Sequence, residues 1–338
     1  SACSWPYVAA WSAIESDHAI SSRSRRTGAA DRHGDPAPPR RQLRGGSASA
    51  AAATVGEAPR APAPWRSCLL DGASPCVSAA PVHLDRELIA WSDWIADHAA
   101  TRGHAHALGV TECRWVAELE EVLLCGSYDR GAMNPPLTRA AIFVEVRAHT
   151  VVRRDDGMYR RYAAAIGGFD LLKDHPDPAR PDLLHYYAAV DRACAADAAM
   201  CPDEPERAMR ALLERAWVGK PRFVLVTFAH AGGIPDDEVV SHEILHAQYF
   251  TSAPYREAIE GYWRDLADAP RAAIRASLGG IYNAADEELM QNEFQAYVLM
   301  SGGERARLGR FVAEHRAPLL ERLAARGQRP LAVQRRAP

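Results

Sequence analysis

The chain has 338 residues, 48% of them hydrophobic and 25% charged, and its 40 basic and 43 acidic side chains leave a formal charge of −3. That balance lacks the concentrated basic face of a nucleic-acid binder, and no apolar run reaches the roughly 18 residues that span a bilayer. No nucleic-acid partner and no integral membrane segment are expected, and nothing in the sequence marks an oligomer interface.

Residues 1–80 are crowded with Ala, Ser, Pro, Gly and Arg, as in Ser21-Ser22-Arg23-Ser24-Arg25-Arg26 and Pro36-Ala37-Pro38-Pro39-Arg40-Arg41. Such a stretch buries too little apolar area to offset backbone entropy, so it reads as a disordered segment ahead of one domain over 81–338. Its end, Ser74-Pro75-Cys76-Val77-Ser78-Ala79-Ala80-Pro81, has small residues where a secretory signal is cleaved. A Pro/Ala linker is the alternative. Beyond it stand Cys113, Cys125, Cys194 and Cys201, an even set with spacings unlike those of a zinc ribbon. Pairing of near neighbours, Cys113 with Cys125 and Cys194 with Cys201, is the preferred one of three connectivities. It would suit an exported protein, periplasmic or secreted; buried free thiols are the alternative.

The first regular element is an amphipathic helix over Asp85–Ala100, with Leu88, Ile89, Trp91, Ile95 and Ala99 at helical spacing. A second helix is read over Arg114–Leu124, with Pro135-Pro136 as a firm stop. Ala141–Val146 and His149–Val152, with a return near Tyr159–Ile166, read as a small sheet. Leu183–Ala199 and Glu206–Trp217 read as helices on either side of Cys201-Pro202. Arg222–Ala229 is the clearest strand, ended by Gly232, Gly233 and Pro235. The fold class is therefore α+β, helix-rich, with a small mixed or antiparallel sheet. Phosphate-loop, dinucleotide and nucleophile-elbow patterns are absent.

The run Asp236-Asp237-Glu238-Val239-Val240-Ser241-His242-Glu243-Ile244-Leu245-His246 carries the chemistry. Acidic residues in the first turn suit the positive end of a helix dipole. On that helix His242 and His246 project from one face, one turn apart, and reach a single metal ion. Glu243, rotated about 100° from His242, faces the open side of that metal. A catalytic zinc site needs a third protein ligand, and no His follows at the short metzincin interval. A second helix over Asp286–Met300 places Glu293 among Leu289, Ala296 and Met300, where a carboxylate is costly unless bound to a cation such as Zn2+.

These two motifs, His242-Glu243-x-x-His246 and Asn292-Glu293-x-x-Ala296, resemble the gluzincin zinc metallopeptidases. The 47 positions from His246 to Glu293 and the run Glu293-Phe294-Gln295-Ala296 look most like the anthrax lethal factor type. The resemblance covers residues 222–300. It implies a zincin-like fold, His242, His246 and Glu293 as metal ligands, and Glu243 as general base. It further implies that the strand at 222–229 lies at the cleft rim, where an extended peptide pairs with its edge. At the position where many gluzincins place an acidic residue to orient a ligating His, this chain has Tyr297, which either hydrogen-bonds an imidazole or packs in the core. Tyr282 is the candidate oxyanion stabiliser, with Tyr249 and Tyr255 in competition. His98, His104 and His106 read as surface-loop residues, and His230 as a turn residue at the end of the strand.

The expected activity is zinc-dependent hydrolysis of a peptide or protein substrate, with Glu243 taking a proton from the attacking water. Two alternatives are a zinc hydrolase acting on a non-protein or cell-wall substrate and a non-catalytic exported metal-binding protein.

Overall fold

A computed structural model of the chain describes residues 76–82, 84, 110–127, 130–146, 149–229, 236–300 and 308–331. Residues 1–75 of the disordered segment expected over 1–80, the helix over 85–100 with His98, the pair His104 and His106, and the turn holding His230, Gly232, Gly233 and Pro235 lie outside the described residues.

A five-stranded mixed sheet is built from β1 (Cys76–Val82), β2 (Val110–Val116), β3 (Val122–Ser127), β4 (Gly168–Leu172) and β5 (Val224–Ala229), in the order β1-β2-β3-β5-β4. β1 pairs parallel with β2 and β3 parallel with β5, whereas β2–β3 and β4–β5 are antiparallel. The boundary expected at residue 80 therefore falls inside β1. The helices are α1 (Arg130–Ala141), α2 (Gly157–Ala165), α3 (Leu183–Ala196), α4 (Glu204–Ala216), α5 (Asp236–Thr251), α6 (Ala253–Asp265), α7 (Asp268–Leu278), α8 (Glu287–Leu299) and α9 (Gly309–Ala325). The helix-rich α+β class is thus as expected. No described helix is long and apolar enough to cross a membrane.

Period-two alternation along β5 explains the layering. Val224, Val226 and Phe228 join Val240, Ile244 and Ala247 of α5 in one apolar cluster. Leu225 and Ala229 face the other way, into a cluster with Phe169 and Leu171 of β4 and apolar residues of α1, α3 and α4. Helix α5 is buried on its far side as well, where Leu245 and Tyr249 pack with α6–α9 through Trp263, Phe294 and Leu319. It is the central helix between the sheet and the C-terminal bundle.

The sheet half corrects several expectations. Arg114–Leu124 is not a helix: Trp115 and Leu123 are cross-strand partners in β2 and β3, and Cys113 stands directly opposite Cys125. A strand buried on both faces shows no alternation, and β3 is buried throughout, so its apolar run resembled a helix face. Ala141–Val146 and His149–Val152 are not strand either. Helix α1 runs to Ala141 and continues as a π-helical turn over Ile142–Val146. The expected return over Tyr159–Ile166 is largely α2, capped by Asp156, whose side chain accepts from the Met158 amide at 2.7 Å.

Pro135 and Pro136 lie inside α1 rather than ending it. They remove donors there, yet tertiary bonds hold the segment: Asn134 Nδ2 donates to the carbonyls of Ala163 and Ile166, and Thr138 Oγ1 donates to the Asn134 carbonyl at 2.8 Å. The helices over 183–196 and 204–216 and the strand over 224–229 stand where periodicity placed them. Both expected disulfides are present, Cys113–Cys125 across β2 and β3 and Cys194–Cys201 from α3 to the turn before α4.

Candidate metal centre

Helix α5 brings His242 Nε2 within 3.0 Å of His246 Nε2, with the rings nearly perpendicular at 88°. Helix α8 lays Glu293 against both, Oε2 at 3.7 Å from His242 Nε2 and Oε1 at 3.7 Å from His246 Nε2. A tetrahedral zinc with ligand bonds near 2.0–2.1 Å sets its donor atoms about 3.3 Å apart, so this triangle matches a single ion. His246 and Glu293 are 1% and 3% exposed. The His242-Glu243-x-x-His246 and Glu293 arrangement is of the gluzincin type.

The donor set fits a divalent cation electrostatically. Burial holds the His242 imidazole well below its usual pKa, reinforced by His246, and burial lowers His246 to about 4 against a hydrogen bond with Asn292. Both rings are therefore neutral, the form that ligates a metal. Burial drives Glu293 well above the carboxylate range, with the charges of Glu145 and Asp170 adding to it and a hydrogen bond from Tyr282 opposing. Glu293 Oε2 is buried without a hydrogen-bond partner, an arrangement a bound cation would relieve.

Glu243 is 8% exposed and points from α5 toward β4. Its carboxyl shares a hydrogen bond with Asp170, and Asp170, Glu243 and His246 present ligand-type atoms within 4.8 Å of one another. Burial raises Glu243 well above the usual range, followed by the charges of Asp170, Glu145 and Glu293. Burial likewise raises Asp170 and Glu145 to about 8. The Tyr162 hydroxyl donates to Glu145 Oε2. Four carboxyl groups thus converge on one wall beside the histidines.

The predicted tyrosines separate cleanly. Tyr282 hydroxyl lies 3.3 Å from that of Tyr297 and hydrogen-bonds Glu293. Tyr297 packs its ring against His242 in a tilted contact, with centroids 4.5 Å apart and 58° between the planes. Tyr249 and Tyr255 are core residues, donating to Gln291 Oε1 at 3.2 Å and Gln295 Oε1 at 2.8 Å.

Sequence reasoning missed Glu145, Tyr162, Gly168, Asp170 and Asn292. Asn292 alone had a local signal, its place beside Glu293. The strand expected at the rim, β5, is interior; β4 is the edge, so it is β4 that borders the site. After β4 the chain crosses over a cavity of about 50 Å³ lined by Glu145, Asp170 and Glu293. Arg180 fastens this crossing to α8 by ion pairs with Asp286 and with Glu288 at 2.8 Å, and His175 Nε2 adds a contact with Glu288 at 3.0 Å.

Compared with known proteins, the chain matches no family model, no curated protein and no solved structure.

Proposed function

We propose that the protein is an exported zinc metallopeptidase, its enzyme domain including all of β1, with His242, His246 and Glu293 as ligands and Glu243 as general base. The observation that carries this reading is the donor triangle of 3.0, 3.7 and 3.7 Å with an acid at its side. The 47-residue ligand spacing favours the anthrax lethal factor type of gluzincin. Two disulfides suit an oxidising compartment.

When bound, zinc supplies Lewis-acid polarisation of a water and of the scissile carbonyl. The chain's residues do the rest. β4, the outermost strand among the described residues, borders the place where the scissile carbonyl is held, with Asp170 its one half-buried position. Glu243 accepts a proton from the attacking water and later delivers it to the leaving amine. Tyr282 offers its O–H to the carbonyl oxygen as negative charge develops there. Tyr297 holds the His242 ring by a tilted ring contact.

The test is Glu243→Gln, assayed on fluorescein-labelled casein with elemental analysis of the metal-loaded protein. Turnover should fall about 10²- to 10⁴-fold, the share general-base catalysis supplies, with zinc content unchanged. Undiminished turnover, or less than about 0.2 zinc per wild-type chain after loading, overturns the reading.

A further inference from the structure

The edge strand β4 does more than border the site. Its residues alternate, with Phe169 and Leu171 turned into the core shared with α1, α3 and α4, while Leu172 packs with Val240, Ile244 and Ala247 of α5. Gly168 and Asp170 share the Leu172 face. Two of the three positions facing α5 therefore lack an apolar side chain, although that face is otherwise an apolar contact.

Each exception meets Glu243. A methyl group on Gly168 would lie 2.8 Å from Glu243 Cγ, 2.8 Å from Glu243 Oε1 and 2.8 Å from the Thr227 carbonyl oxygen, so glycine leaves the space that the Glu243 side chain occupies. One pleat along, Asp170 brings a carboxylate oxygen within 4.8 Å of one of Glu243 and of a His246 ring nitrogen, and the two carboxyl groups share a hydrogen bond. An apolar residue at 170 would stabilise the fold more, because one carboxyl group set against another in a shielded place is costly. A residue that costs stability and touches the proposed base is placed for the base.

We propose that Asp170 is a positioning residue for Glu243, holding its carboxyl group toward the metal centre by a hydrogen bond while Gly168 leaves that group its room. The inference rests on the proposed function, in which Glu243 acts on the attacking water. Asp170 engages one oxygen of the Glu243 carboxyl group, which leaves the other turned to the metal centre to take the water's proton and hand it to the leaving amine. The proton gained from water leaves with the amine, so the pair is unchanged over a full turnover.

The test compares Asp170→Ala and Asp170→Asn with wild type in zinc content, melting temperature, turnover of fluorescein-labelled casein, and binding of acetohydroxamate to the cobalt-substituted protein by its visible spectrum. Hydroxamate binding needs both the metal and a correctly held Glu243, and it reads the position of the base without turnover. Asp170→Ala should keep its zinc and melt no lower than wild type. Its kcat should fall about 10- to 100-fold, the range one hydrogen bond to a charged group supplies, with KM nearly unchanged and hydroxamate binding weakened in parallel. Asp170→Asn, whose side-chain N–H can donate to the Glu243 carboxylate, should recover most of both losses. Gly168→Ala should show the same split, but its contact with the Thr227 backbone endangers folding, so the Asp170 variants decide. Unchanged kcat and hydroxamate binding in Asp170→Ala overturns the proposal. So does an asparagine variant no better than the alanine one, or a joint fall of zinc content and melting temperature. A wild-type protein that binds hydroxamate without cleaving casein leaves the Asp170 arm decisive and counts against peptidase activity alone. One that binds zinc yet neither cleaves casein nor binds hydroxamate overturns both.

Discussion

The two halves of the site are built on different principles. On one side, α5 and α8 carry the metal donors on helices packed into an apolar bundle, with Tyr249, Trp263, Phe294 and Leu319 around them. On the other, β4, the π-helical turn and α2 carry the carboxyl wall of Glu145 and Asp170. The scaffold behind that wall contains both disulfides and a buried ion-pair network in which Glu206 receives Arg139 at 3.1 Å, Arg154 and Tyr186. The difference teaches that rigid ligand placement here comes from helix packing, whereas the acidic wall needs covalent and ionic ties because its elements are short and irregular.

The sharpest way to break this contrast is Glu206→Ala. Arg139, 1% exposed, would lose its carboxylate, and leaving one partner of a buried pair alone costs about 3–5 kcal/mol. Chemical denaturation should show that loss, and glutamine at 206 should restore little of it. By contrast, Glu293→Leu should damage only the metal site. Zinc affinity measured by chelator competition should fall more than about 100-fold, beyond the effect of losing an outer hydrogen-bond partner. The metal-free variant should melt at or above the wild-type temperature, since a buried carboxyl gives way to an apolar side chain.

A smaller effect separates the halves by pH. Glu145 and Asp170 have folded pKa values raised to about 8, principally by burial. Their protonated forms favour folding, so their contribution is lost as pH rises from the ordinary carboxylate range through 8. His246, lowered to about 4 by burial, acts oppositely, losing stability as pH falls from 6.5 toward 4. Above pH 6.5 only the carboxyl term changes. Chelator-treated protein should therefore melt about 2–4 °C lower at pH 8 than at pH 6.5, the shift that ~1 kcal/mol gives in a domain of this size. Zinc-loaded protein should show a smaller gap, and equal gaps with and without zinc would contradict the assignment of this wall to the metal site.

Legibility follows the same division. His242, Glu243 and His246 were readable because one helix turn brings them together, and Glu293 because a carboxylate interrupted an apolar stripe on its own helix. Their signals are local. Val122–Leu124 misled because β3 is buried on both faces, which erases the period that distinguishes strand from helix, and Ala141–Val146 because β-branched residues there continue a helix as a π-helical turn. Pro135 and Pro136 misled because Asn134 supplies a bond to the Ile166 carbonyl, 32 positions away, that no local rule anticipates.

The sequence by itself determined the helix-rich class, the two motif helices and the residues that form the donor triangle, through spacings of a few positions or chemistry within one element, whereas the cysteine pairs it preferred among three connectivities needed the fold to select them. Only the tertiary structure decided that β4 rather than β5 is the edge, and that Glu145, Tyr162, Gly168 and Asp170 stand beside Glu243. Those placements arise from strand order and from contacts across 70 or more positions of chain, such as the Gly168–Glu243 approach. A residue with no distinguishing neighbours in sequence acquires its role from what folding sets against it.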